Sequence, residues 1–226
     1  MDARSGDCAW ENAEPPSGAR AVLSPTAVEE LKTQGFGCHS EVFVAEFSPQ
    51  STRARRAQGA TFLFAFGGAW LSAFIIELMG KRPIPLLAIA IATACLIGVA
   101  YRRYRRNRPA LIGEAPSAQV LRAKRMFNII NAAQWLIICL ACSVLIGHGL
   151  SRWVVPCIIF IVGLHLIPLA YYFNNNAHYL TGMGLMVLAV GYPLLLSGGP
   201  TNPAGGLGAG LILWASGLRA VTADHS

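Results

Sequence analysis

From residue 59 onward the chain is built of long apolar runs separated by short polar breaks, and six of the runs are long enough to be membrane spans. A helix needs about 20 apolar residues to cross a ~30 Å hydrocarbon core. The expected spans are 59–80, 84–101, 126–148, 153–173, 177–196 and 204–221, with the third helix able to begin as early as Ser117. Lys81-Arg82-Pro83 reads as a tight turn between the first two spans, Asn174-Asn175-Asn176 as a second turn, and Ser197–Gly206 as a loop. The pattern predicts an all-α, polytopic bundle of about six transmembrane helices in three antiparallel hairpins.

Residues 1–58 stand apart as a cytoplasmic tail, rich in turn formers and mixed charge, and expected to be mobile. Ser24-Pro25 ahead of Ala27–Leu31 suits the start of a short helix, and Glu41–Phe47 could be extended. Met1–Trp10 has no apolar core of the kind a secretory signal carries. No methionine falls between Met1 and Met79, which allows a natural start at a non-Met codon near Val42.

Composition agrees with the pattern: 54% of residues are hydrophobic and only 13% charged, and the mean hydropathy is +0.48. A soluble domain carries about 25% charge. The net charge of +7 is unevenly placed. Eight acids (Asp2, Asp7, Glu11, Glu14, Glu29, Glu30, Glu41 and Glu46) lie in the first fifty residues, leaving Glu77, Glu114 and Asp224 beyond them. The basic residues flank apolar runs, which suits lipid headgroups rather than nucleic acid.

Orientation follows from the same residues, because cytoplasmic flanks collect Lys and Arg. Arg53, Arg55, Arg56, Arg102, Arg103, Arg105, Arg106, Arg108, Arg122, Lys124, Arg125 and Arg219 fall on one side, and Lys81, Arg82 and Arg152 on the other. Both termini are therefore expected in the cytosol. The run Arg102, Arg103, Arg105, Arg106 and Arg108 reads as a contact with anionic headgroups, with docking of an acidic cytosolic partner as the other reading.

Helices in a bilayer associate through small residues. Ala65, Ala69 and Ala73 make one expected ridge, with Gly68 and Ser72 beside it. Ala90, Ala94 and Gly98 make a second, and Gly206 and Gly210 a GxxxG. Trp153, Tyr101, Tyr171 and Tyr172 sit where interfacial aromatics belong.

Polar groups within spans carry the candidate chemistry, since burying them in hydrocarbon is costly. His165 comes first, because Pro168 would free the carbonyl of Leu164 beside it. It is either bonded to a neighbouring helix or part of a proton, ligand or substrate path. On the third span Asn128, Asn131, Trp135, Cys139 and Cys142 share a stripe expected to face the bundle interior, with Gln134 at its edge. His165, Asn131, Gln134 and Asn128 are thus the candidate intramembrane polar site, as helix–helix glue or as a path.

Cys139 and Cys142 form a CxxC well inside a span, where neither a redox pair nor a zinc site is expected. The remaining cysteines, Cys8, Cys38, Cys95 and Cys157, complete no disulfide framework. Glu77 is read as an i,i+4 partner of Lys81. There is no GxSxG, phosphate loop or pair of intramembrane acids, so neither enzymatic activity nor any cofactor or metal is expected.

A basic segment running into Gly59-Ala-Thr-Phe-Leu63, Trp70, Phe127-Asn-Ile-Ile-Asn131 and Gly163-Leu-His-Leu-Ile-Pro-Leu-Ala-Tyr-Tyr172 together resemble a family of small bacterial six-span membrane proteins. The likeness spans about Thr52 to Val190 and the long tail departs from it. It implies the fold and a bacterial cytoplasmic membrane, and no chemistry. Two functions remain: a structural, interaction or sensing component, or a small transporter or channel with a polar path between spans three and four around His165. A homo-oligomer is one way to complete such a path.

Overall fold

A computed structural model describes residues 49–112, 118–172 and 176–223. Among these residues there are six long α-helices and two single 3-10 turns, with no strand. The helices are α1 (Pro49–Met79), α2 (Pro83–Ile112), α3 (Ala118–Gly147), α4 (Val154–Tyr172), α5 (Asn176–Leu195) and α6 (Ala204–Thr222). All six are long and apolar enough to cross a membrane. The expectations for residues 24–31 and 41–47, for Cys8 and Cys38, and for the turn at Asn174 and Asn175 lie outside the described residues.

The chain reverses where its local chemistry allows. Gly80 takes φ 73 and donates to the carbonyl of Ile76 at 3.0 Å. This left-handed cap ends α1, and Pro83 opens α2 at a position where its missing N–H costs nothing. Gly149, at φ 72, closes α3 as the Leu150 N–H reaches back to Leu145 at 2.7 Å. Between α5 and α6, Asn202 fastens the loop. Its Nδ2 donates to Ser197 at 2.7 Å, and its Oδ1 accepts from the Ala204 N–H at 2.9 Å, satisfying a donor at the start of α6.

Helix lengths separate into two groups. α4, α5 and α6 have 19, 20 and 19 residues, close to one bilayer crossing. α1, α2 and α3 have 31, 30 and 30. At 1.5 Å per residue these reach about 45 Å, well beyond a ~30 Å core. The surplus lies at the start of α1, the end of α2 and the start of α3, which alternation places on one side. Those are the arginine-rich ends. Helix therefore continues through the basic segments, past the boundaries at 59, 101 and 126 expected from hydropathy.

Each expected hairpin packs together: α1 on α2, α3 on α4 and α5 on α6. The hairpins are joined by α4 against α5 and by α1 against α6, so the first and last helices are neighbours. Ile159, Leu166 and Leu169 of α4, Leu185, Ala189 and Tyr192 of α5, and Ala209 and Leu213 of α6 make the main core. Phe64 and Ala60 of α1 join Ala100 of α2 and Val221 of α6 in a second core. α2 and α3 lie outermost, with only 6% of each apolar window buried.

Two of the three expected small-residue ridges lie mostly off the contact faces, with only Ala73 and Gly98 of their members half-buried. Ala65 and Ala69 are exposed, and so are Ala90 and Ala94. The contact face of α1 runs instead through Ala57, Ala60, Phe64, Gly67 and Leu71, because tight packing needs a bulky complement as well as a small residue. Trp214 of α6 fills the space above Gly67, and Thr93 of α2 fills that above Gly68. The Gly206–Gly210 motif does pack, within the chain: a Cβ on Gly210 would meet the Gly67 carbonyl at 2.9 Å.

Candidate functional site

The polar residues of α3 and α4 can be placed by depth before their contacts are considered. Counted from the turn that joins the two helices, His165 lies roughly 16 Å down α4, at 1.5 Å per residue. Gln134 lies about 20 Å down α3, Asn131 about 24 Å and Asn128 about 28 Å. Gln134 and His165 thus share a level near the middle of the membrane, while Asn128 belongs to the basic end.

Pro168 sits within α4 and has no N–H to give the Leu164 carbonyl. His165, half-buried, folds back on its own helix, its Nδ1 2.7 Å from the carbonyl oxygen of Val162. A carbonyl can only accept, so Nδ1 carries the proton and donates; in the neutral ring Nε2 keeps its lone pair. His178 is half-buried near the start of α5.

On α3 the face that meets α4 carries Phe127, Ile130, Gln134 and Ile138; Phe127 and Ile130 pack on the main core and Ile138 is buried. Asn131 is half-buried at the edge of this face. Asn128, Trp135 and Cys139 are exposed, against the expectation that the whole stripe points inward. Its centre is turned roughly a quarter of a turn away from α4, at 100° per residue. Among the described residues no hydrogen bond links His165, Asn131, Gln134 and Asn128, and Asn128 alone of them lines the surface groove on α3. The four candidate residues are not gathered into one site.

The span hydroxyls are likewise committed locally. Thr61, Ser72, Thr93 and Ser143 each donate to the carbonyl four residues earlier, at 2.7–3.1 Å, and the Thr181 and Ser216 hydroxyls lie 2.8 Å from theirs. Such back-bonding satisfies a hydroxyl without a partner helix. Thr181 and Ser216 also meet each other across α5 and α6 at 2.7 Å, where one hydroxyl donates to the other in place of its own carbonyl, and Trp214 Nε1 donates to the Phe64 carbonyl of α1 at 3.1 Å. These interhelical polar contacts escaped the sequence reading. Thr181 next to Gly182 was the available signal, since small and hydroxyl residues together mark close helix approach.

That approach is closest where α4 crosses α5. A Cβ on Gly163 would lie 2.8 Å from the Gly182 carbonyl oxygen, and one on Gly182 would lie 2.7 Å from that of Gly163. Backbone meets backbone here, which excludes a channel between these two helices at this level.

At the basic end Arg102, Arg105, Arg106 and Arg108 are exposed, whereas Arg103 is half-buried. Arg103 donates to the carbonyl of Val221 in the last turn of α6. This gives a donor to a carbonyl in the last turn of the helix and sets positive charge against the negative end of the helix dipole. Of the five arginines expected at headgroups, four project outward and one ties α2 to α6.

Glu77 is exposed and forms no ion pair with Lys81, because the left-handed Gly80 takes the chain off the helical register before Lys81. Cys95, Cys139, Cys142 and Cys157 are free thiols. Among the described residues no three metal-ligating side chains cluster. No protein family model, curated protein or solved structure matches the chain.

Proposed function

We propose that this multi-pass membrane protein is a non-enzymatic structural, interaction or sensing component of a bacterial cytoplasmic membrane, with both termini in the cytosol. One observation carries the reading. α2 and α3, the helices least covered by the rest of the chain, both carry basic ends, with five arginines at the end of α2 and Arg122, Lys124 and Arg125 at the start of α3. Their apolar faces are left for lipid or for a second copy, and their arginines for anionic headgroups. The centre of the bundle is taken up by apolar side chains and glycine contacts, and its hydroxyls bond to their own helices. The reading needs no cofactor, and the basic flanks call for no nucleic acid.

A second reading, transport or conduction along α3 and α4, has one observation in its favour: the Nε2 of His165 is bonded to no described residue, one turn before a proline. Flux into proteoliposomes by the wild type and His165→Ala separates the two. The structural reading expects no flux of ions or small solutes above protein-free vesicles in either protein. Flux by the wild type that His165→Ala abolishes, with the variant folded, would replace it with transport.

A further inference from the structure

We propose that the cytoplasmic end of α3 is a binding site for one anionic glycerophospholipid, its phosphate held by Lys124, Arg125 and Asn128. The three residues line an open groove of ≈ 410 Å³ together with Leu121, Ile129 and Ala132. All six are exposed. Their spacing, at i, i+3, i+4, i+7, i+8 and i+11, keeps them on one face of the helix. The proposal rests on the membrane reading above and on the basic end lying at headgroup level.

The order of residues along this face follows the order of groups along a lipid. Lys124 begins the apolar span and Arg125 follows it, so both charges stand at the headgroup level. Asn128 is one turn deeper, roughly 5 Å, at the depth of a glycerol backbone. Its amide is hydrogen-bonded to no described residue. An exposed amide at the edge of hydrocarbon needs a partner, and phosphate or ester oxygens can accept from it. Ile129 and Ala132 then continue toward the bilayer centre as a surface for an acyl chain.

Arginine and lysine contribute different things to such a site. A guanidinium can hold two phosphate oxygens at once, and an ammonium adds a mobile point charge. The charge pattern also selects the occupant. A second copy docking in parallel on this face would bring Arg122, Lys124 and Arg125 against their own duplicates, with no acid on this stretch of α3 to offset them. A phosphodiester complements them.

Trp135, 56% exposed, lies on the same face about 10 Å deeper than Asn128, so it can report on the acyl chain. Its fluorescence is taken as the difference between the wild type and Trp135→Phe, in phosphatidylcholine vesicles containing 10 mol % of a lipid brominated on its acyl chains. Brominated phosphatidylglycerol should quench Trp135 at least threefold more effectively than brominated phosphatidylcholine. Lys124→Gln/Arg125→Gln should remove that preference while leaving quenching by phosphatidylcholine unchanged, which shows that the variant is folded and its face still open. Arg152→Gln, at the opposite end, should retain the preference, and added inorganic phosphate should not reduce it.

Equal quenching by the two lipids in the wild type overturns the proposal, as does a preference that survives in the double glutamine variant. Absence of quenching by either lipid also overturns it, because the face is then covered by protein. None of these outcomes depends on whether the vesicles show solute flux, so the lipid site and the wider functional reading fail separately.

Discussion

Alanine at Gly182 is the sharpest test of how the bundle is held. An added Cβ would stand 2.7 Å from the Gly163 carbonyl oxygen, where ordinary contact begins at 3.4 Å. The obstacle is backbone, so no rotamer change can relieve it. α4 and α5 must part by about 0.7 Å, and a gap of that size forfeits a quarter to a half of each facing atom pair's dispersion well. A few tens of pairs at ~0.1–0.2 kcal/mol each then lose about 1–3 kcal/mol, the usual range for overpacking. Gly163→Ala meets the Gly182 oxygen at 2.8 Å and should cost a similar amount. Because one separation relieves both clashes, the double variant should cost well under the sum of the two single changes. Gly98→Ala on α2 is the control: nothing lies within 4 Å of its added Cβ. It should be neutral, or stabilising by up to ~1 kcal/mol through helix propensity. Reversible unfolding in mixed micelles titrated with SDS, followed by far-UV circular dichroism, measures all four. Wild-type stability in both Gly182→Ala and Gly163→Ala would refute the close backbone contact.

Other contacts give smaller and distinct effects. Arg103→Gln should destabilise by about 1–2 kcal/mol through loss of the charged cap on the Val221 carbonyl, whereas Arg106→Gln, which projects outward, should cost under ~0.5 kcal/mol in the same unfolding assay. Thr181→Val and Ser216→Ala should each cost under ~1 kcal/mol, because the remaining hydroxyl keeps its own helical carbonyl; a double-mutant cycle should return a coupling of about 0.6 kcal/mol, and zero coupling would dismiss the α5–α6 bond. Trp214→Phe should cost more than either, since it removes both the bond to the Phe64 carbonyl and packing over Gly67, and equal stability with the wild type would contradict that arrangement.

The six spans were legible because each is a long apolar run, and no soluble architecture accommodates six of them in a chain of this length. The helix ends were less so. Hydropathy marks where the bilayer stops, and α1, α2 and α3 continue past it because Arg, Ala and Gln are good helix formers in water. Helix faces were the hardest to assign. Lipid does not exclude small residues, so Ala65, Ala69, Ala90 and Ala94 look the same in sequence as residues at a contact. What distinguishes Gly67 and Gly210 is the shape of the helix opposite, and one sequence carries no pairing between helices. The α3 stripe failed for a related reason. Asn128 is polar because it lies near the headgroups, and it was grouped with Asn131 and Gln134 as though all three answered to the interior. His165 kept its place in the fold, but its bond to Val162 is local, a choice that spacing alone does not reveal.

The proposed topology, six crossings with both termini and the arginine-rich ends on the cytoplasmic side, can be tested most directly by thiol labelling in a cysteine-free variant. Single cysteines would replace Lys81, Ser151 and Ser197 on one side, and Arg56, Arg106 and Ala223 on the other. A membrane-impermeant maleimide applied to intact cells should label the first three and reach the second three only after the membrane is opened. Labelling of Cys at 56, 106 or 223 in intact cells, or protection of Cys at 81, 151 or 197, would contradict the topology.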